Sequence, residues 1–410
     1  MNKILKNWLS PRIPREYTQP NYEKDLNIFQ KIRTFLVHWF FHPIKRRFAK
    51  YYCLLLQKVF GLKVVAITGS SGKSTTKEML TSILKTKTKT VSSFKNIDPI
   101  YNIPTTILRC SPFTRYLVLE MGVEYLNEMN FYLWLVQPNV GVITSIYPTH
   151  TEFFKDIEGV YREKIKLATA LKNSGIVVLN NECSFLRIFS KGRENIVSYG
   201  RNSNIYPSDI SFSLKSTKYD LFYEGQKNRI EIPVVGKANV MNSIAALVVA
   251  KKLGFGWKEI KKGLKTFKPL EDRLDIFKKE EILVINDTYN SNPEALKEAL
   301  NVFESFSRGK NKVLVIGDML ELGDLSKKLH LDIAKRIEKV DFDLLICVGR
   351  ESKTIFDYFK KTGNKKPYFW VKGQGQVDNL LKSRLKNNSV ILFKASHSIE
   401  LDHVVKRLFK

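Results

Sequence analysis

The chain has 410 residues, 43% of them apolar and 26% charged, which excludes a disordered protein and gives enough length for two or three domains with substantial cores. Its net charge of +28 comes from lysines scattered along the chain with no RNA-binding signature. That charge reads as solvated faces, a polyanionic substrate or an anionic membrane surface, and nucleic acid is not expected as a partner. Cys53, Cys110, Cys183 and Cys347 lie far apart with no CxxC pair, which argues against a disulfide framework or zinc site and suits a reducing, cytoplasmic compartment.

Residues 1–60 form a basic, aromatic region with 12 Lys and Arg against 3 Asp and Glu, a local balance of +9. Pro11, Pro14 and Pro20 make its first part irregular. Two apolar runs, 35–41 and 51–60, then flank Lys45, Arg46, Arg47 and Lys50, and neither is long enough to span a membrane. Two readings stay open: helices lying in a membrane interface, or a helical hairpin packed on the catalytic core. No cleavable signal is apparent, because no continuous apolar core is followed by small residues.

Residues 63–68 (KVVAIT) read as a short buried strand. The turn that follows holds Gly69, Ser70, Ser71 and Gly72, and its backbone N–H groups can converge on an anion. Lys73 offers a point charge to phosphate, while the hydroxyl of Ser74 or Thr75 can reach a metal ion. A helix from about 76 to 85 should direct its N-terminus at the same anion. A full phosphate-binding loop has glycine five residues before Gly72. Ile67 stands there, so this is a shortened loop, GxxGKST. A nucleoside triphosphate is the expected ligand.

From 61 to 271, apolar runs alternate with helical stretches, which implies a largely parallel sheet. Residues 116–121 and 140–146 read as buried strands ending in polar groups, and ligands of open α/β sheets sit at such carboxyl ends. Residues 204–232 alternate as a β-meander, and 236–253 form a helix with a polar entry. A smaller doubly wound domain is expected over 272–410, with strands near 281–286, 312–316, 344–348 and 390–393. The fold class is therefore α/β: a central P-loop ATPase-like domain, then a Rossmann-like one, behind a short helical basic region.

The stretches TGSSGKSTT (68–76), LEMG (119–122), TSIYPTH (144–150), REKIKL (162–167), GKANVMNSIAA (236–246), EDRLD (271–275), INDTYNSNPEAL (285–296) and VIGDMLELG (315–323) occur in the order seen in one family. On these motifs the chain resembles the Mur ligases. DTYN and GDMxELG point to the branch that adds D-alanyl-D-alanine. The resemblance implies an ATP- and Mg²⁺-dependent amide ligase of cell-wall precursor synthesis. In that chemistry a peptide carboxylate attacks the γ-phosphate of ATP, and an amine then displaces phosphate from the acyl phosphate.

The same resemblance assigns roles. Lys73 and the loop amides would stabilise the transferring phosphoryl group. Ser74 or Thr75 and Glu120 would hold magnesium, with His150 on a second ion. Lys164 lies 14 residues after His150 (164 − 150), where the family carries a lysine carbamylated by CO₂. Asn239 and Asn242 would lie near the nucleotide, and Arg273 would follow the hinge. Asp287, Tyr289 and Asn290 would meet the nucleotide from the last domain, with His330 near it.

Three departures stand out. Asn102 replaces a usual glycine before Pro104, and His397 in ASHSIELD stands where the family has arginine. The separate UDP-sugar-binding domain usual before the loop has no counterpart in residues 1–60. A Mur-like ligase acting on a non-UDP glycan or polymer is thus the second reading. A non-catalytic nucleotide-binding scaffold at the membrane surface is the third.

Overall fold

The computed structural model describes residues 27–94, 98–171 and 175–410. These resolve into two compact units, each assembled from separate stretches of chain. One comprises Met1–Ile146, Glu158–Tyr206 and Asn242–Thr266; the other comprises Tyr147–Ile157, Pro207–Met241 and Phe267–Lys410. The chain crosses between these two units several times. The irregular stretch expected before residue 21 lies outside the described residues.

The first unit is built on a parallel sheet of six strands: β1 (Lys63–Thr68), β2 (Thr90–Ser92), β3 (Tyr116–Glu120), β4 (Val140–Ile143), β5 (Ile176–Asn180) and β6 (Ile196–Tyr199). Their order is β2-β3-β1-β4-β5-β6. Strands covered on both faces need unbroken apolar runs, and β1, β3 and β4 are buried almost throughout. Register pairs Ile67 with Glu120 and Thr68 with Ile143. The carboxyl ends of three neighbouring strands therefore finish together, and the glycine loop starts there.

A near-continuous helix, Ile28–Leu36 and His42–Val59 joined by a π-helical turn at Val37–Phe41, precedes this sheet. It is a single rod, not a hairpin. Pro43, Arg46, Ala49, Cys53 and Leu56 recur at helical spacing and form its buried stripe. That stripe packs on the helices Pro99–Leu108 and Glu128–Leu135. Arg46 is buried with its guanidinium 5.8 Å from the Tyr101 ring and 5.5 Å from the Phe131 ring. Tyr52 donates its hydroxyl to the Cys110 carbonyl at 2.9 Å, and Gln57 donates its amide to the Gln137 carbonyl at 2.8 Å.

In the second unit the strands are β10 (Asp275–Lys279), β11 (Ile282–Asp287), β12 (Asn311–Gly317), β13 (Leu344–Val348), β14 (Tyr368–Val371) and β15 (Ser389–Lys394), ordered β10-β11-β15-β12-β13-β14. All neighbours run parallel except β10, which pairs antiparallel with β11. The four expected strands form the centre. The two unexpected ones, β10 and β14, are the edges, where one flank is unpaired and the apolar signal is weak. The expected meander is β7 (Ile205–Phe212), β8 (Thr217–Tyr223) and β9 (Gln226–Ile232).

Candidate active site

The loop after β1 is built for an anion. Gly69 (φ 145°) and Gly72 (φ 84°) adopt conformations that side chains resist. A Cβ on Gly69 would lie 2.0 Å from Thr144 Oγ1, and one on Gly72 would lie 2.1 Å from Asn242 Oδ1. Both positions therefore require glycine twice over, for conformation and for space. The strand end of β4 fixes the loop: Ser70 N–H donates to the Ser145 carbonyl and Ser71 N–H to Ser145 Oγ, each at 2.9 Å. Gly72 opens the helix Lys73–Lys85, whose N-terminal amides face the loop.

Lys73 Nζ reaches back over the loop to the Gly69 carbonyl at 2.9 Å. Ser74 Oγ donates to Glu120 Oε1 at 2.9 Å, so the hydroxyl and carboxylate expected to share magnesium do share one place. Glu120 is held from behind: its N–H donates to Ser93 Oγ at 3.1 Å, and Lys77 Nζ lies 3.9 Å from Oε2. Two hard oxygens beside a phosphate loop suit Mg²⁺, which takes one or two protein oxygens and fills its shell with phosphate and water. Among the described residues no three His, Cys, Asp or Glu converge as a protein-only metal cage. Thr75 is buried in the first turn of the helix.

Lys164 ends the helix Ile157–Lys164 and is wholly buried. Burial first, and the Lys73 cation second, push its amine down to about 7; the charge of Glu128 opposes them. Glu128 opens a helix that is otherwise apolar, and burial pushes its carboxyl up to about 7 against the N–H groups of Glu124 and Tyr125 and the Tyr132 hydroxyl, all three of which donate to it. Glu163 accepts the N–H groups of Asn127 and Met129 and the Lys166 ammonium, which fixes the turn beside Lys164. Sequence reasoning did not single out Glu128 or Glu163. The available signal was an acid at the head of the apolar run EMNFYLWL.

In the second unit His150 sits in a left-handed conformation, with Nδ1 2.6 Å from Glu321 Oε2 in the GDMLELG stretch. The close imidazole holds the Glu321 carboxyl below its usual range. Glu321 is a partner that the motif contained and the sequence reading left unassigned.

Arg273 lies 3.9 Å over the Tyr289 ring, and Tyr289 stacks on His397 with centroids 6.2 Å apart. The histidine in the place of the family's arginine thus extends an aromatic–cation stack. Asp287 is engaged within its own unit: Lys394 Nζ is 2.8 Å away, and Leu274 N–H donates to it at 3.2 Å. Asn290 accepts its neighbour Ser291 N–H at 2.8 Å, and its carbonyl accepts from Lys394. Asn239 donates to the Val235 carbonyl at 2.8 Å, which ties the start of its helix to the chain before it.

His330 is fully buried. Its Nε2 accepts the Met319 N–H at 3.1 Å, and its Nδ1 lies 2.8 Å from the Ser326 carbonyl. It braces the GDMLELG loop. Asn102, the other departure, donates to the Phe94 carbonyl at 2.7 Å and accepts the Thr106 hydroxyl at 2.8 Å, so its side chain is absorbed locally.

A phosphate cradle at the head of one parallel sheet, with a hard-oxygen pair and a buried lysine beside it, followed by a second α/β unit, defines an ATP-dependent acid–amine ligase. The sequence matches the Mur ligase middle domain over residues 67–250 and the Mur ligase glutamate ligase domain over 272–397, and the chain belongs to the Mur ligase family. Among its relatives, the UDP-N-acetylmuramoyl-tripeptide–D-alanyl-D-alanine ligase of Buchnera aphidicola is 32% identical over 357 residues, 85% of this chain and 75% of that one. The enzyme of the same name from Bacillus subtilis is 30% identical, over 85% and 76%. MurF from Acinetobacter baumannii superposes with a TM-score of 0.81 at 27% identity, covering 90% of this chain and 80% of that one. MurF ligase from Thermotoga maritima, in complex with ADP, gives 0.79 at 25% identity, over 89% and 82%.

Proposed function

We propose that the chain joins D-alanyl-D-alanine to the peptide carboxylate of a UDP-N-acetylmuramoyl-tripeptide, the reaction named for its relatives, in the cytoplasm. The carboxylate oxygen attacks the γ-phosphorus of ATP and ADP leaves, giving an acyl phosphate. The dipeptide amine attacks the acyl carbon, phosphate leaves, and the nitrogen sheds a proton to give the amide. Lys73 and the loop amides hold the transferring phosphoryl group in place and balance its charge. Bound magnesium, held by Ser74 and Glu120, would neutralise charge on the phosphate oxygens.

The observation that carries this reading is Lys164. A wholly buried amine pushed down to about 7 beside the phosphate loop is largely neutral near physiological pH, because burial and the Lys73 cation outweigh the nearby carboxylates. It is a nucleophile for CO₂: the nitrogen lone pair adds to the carbon, a proton leaves, and a carbamate anion faces the site. His150, Asn239, Asn242, Arg273, Asp287, Tyr289 and Asn290 are proposed as its further metal and nucleotide contacts.

The test is phosphate release that needs ATP, an acceptor carboxylate and an amine together. UDP-N-acetylmuramoyl-tripeptide and the same peptide on a glycan without nucleotide are compared as acceptors. Turnover with the first supports the proposal. Turnover with the second alone transfers it to the non-UDP reading, and amine-independent ATP binding without turnover leaves a scaffold. An anionic membrane as partner is a separate proposal and rests on the amino-terminal helix, not on the ligase site.

A further inference from the structure

The amino-terminal rod has two apolar faces, and the first unit covers only one. Opposite the buried stripe of Pro43, Ala49, Cys53 and Leu56, the residues Ile44, Phe48, Tyr51, Leu55 and Val59 recur every three or four positions and stay exposed, Phe48 and Val59 at 64% each. An ordinary surface helix puts polar residues there. The segment before it continues the pattern: Ile28, Ile32 and Leu36 lie one turn apart, and no residue of Ile28–Leu36 is buried. The π-helical turn at Val37–Phe41 takes more residues per turn than its flanks. It thereby turns the later apolar stripe back toward the earlier one, so that both lie closer to one side of the rod.

The charge on this rod is one-signed. Residues 27–60 contain Lys31, Arg33, Lys45, Arg46, Arg47, Lys50 and Lys58, and neither Asp nor Glu. A face made for another folded protein is usually rimmed by both signs; a stripe of large apolar side chains with only cations around it is complementary to acyl chains beneath anionic headgroups. No helix among the described residues is long and apolar enough to cross a membrane, so the rod fits a position in the interface plane.

We propose that the outer face of Ile28–Val59 lies on an anionic phospholipid surface and tethers the first unit to it. Phe48, Leu55 and Val59 enter the boundary between headgroups and acyl chains, and the exposed basic residues Lys31, Arg33 and Lys58 meet the phosphates. The inner stripe meanwhile holds the rod to the unit that carries the phosphate loop, so attachment brings the reaction to the membrane face. The proposal stands whether or not the acceptor carries UDP.

The test is flotation of the full chain with phosphatidylcholine vesicles, with and without phosphatidylglycerol. Recovery with the anionic vesicles, falling about fivefold for each cation's worth of attraction screened by salt, is the expected result. Phe48→Ser with Leu55→Ser should lower vesicle binding by more than about tenfold while ATP-dependent phosphate release is unchanged. Arg46, whose role is structural, is left in place. The proposal is overturned if the wild-type chain stays with the buffer, if neutral vesicles capture it equally, or if the double variant floats as well as wild type. It is also overturned if sedimentation shows a concentration-dependent dimer that the same substitutions abolish, since a second copy is then the occupant.

Discussion

Lys164 should carry a carbamate in the working enzyme, and the structure sets how readily it forms. Only the neutral amine attacks CO₂. At pH 7.5 an ordinary lysine amine is about 0.1% neutral, whereas one pushed down to about 7 is roughly three-quarters neutral, an advantage on the order of 10³. Enzyme stripped in CO₂-free buffer should lose activity and regain it on adding bicarbonate, faster as pH rises through about 7 and little faster above 8. A carbamate ¹³C resonance from labelled bicarbonate should appear with wild type and vanish in Lys164→Ala, whose activity short carboxylic acids should partly restore. The linkage has a definite sign. The amine is depressed in the fold, so the unfolded chain binds the extra proton between about 7 and the usual lysine range. Lys164's contribution to stability is therefore complete only above that usual range and is lost as pH falls toward about 7. Lys164→Met, which removes the buried cation, should accordingly raise the melting temperature more at pH 6 than at pH 9. Full activity with no carbamate signal on Lys164 refutes the reasoning.

Lys73→Ala should cut turnover by about 10²–10³ while the circular dichroism and melting curve stay close to wild type, because in the proposed mechanism it removes one contact to the transferring phosphoryl group; near-normal amide formation contradicts this role. Gly72→Ala forces an alanine to φ 84° at about 1–2 kcal/mol and drives its Cβ into Asn242 Oδ1. ATP binding measured by calorimetry should weaken, and unchanged affinity would show that the loop tolerates the shift. Asp287→Ala strands the buried Lys394 ammonium, and loss of one partner of such a pair costs about 3–5 kcal/mol. The urea transition of the second unit should move to markedly lower concentration, and a transition left in place means that the pair carries no stability.

Short-range rules determined the catalytic face. A strand with no polar residue inside it, glycines where the chain must turn left-handed, and GKST before a helix are all local constraints, so Lys63–Thr68, the loop and a following helix were legible from residue types alone, with the helix beginning at Lys73, one turn before the expected 76. The apolar run of 116–121 placed Glu120 at the end of a strand, but its proposed role came only from the resemblance carried by LEMG. What the sequence could not carry is contact between distant residues. Glu128 gains its meaning only when folding brings it to Lys164, Glu163 only when it accepts the Asn127 and Met129 N–H groups, and Glu321 only when it meets His150. His330 read as a ligand candidate until its ring nitrogens were found engaged with Met319 and Ser326. The amino-terminal rod shows the same divide. Its amphipathic spacing was open to a core or a membrane, since periodicity marks apolar faces without saying what covers them. Tertiary packing covered Ala49, Cys53 and Leu56 and left Phe48, Leu55 and Val59 outside, because the flat bed of the Pro99–Leu108 and Glu128–Leu135 helices can bury only one side of a cylinder.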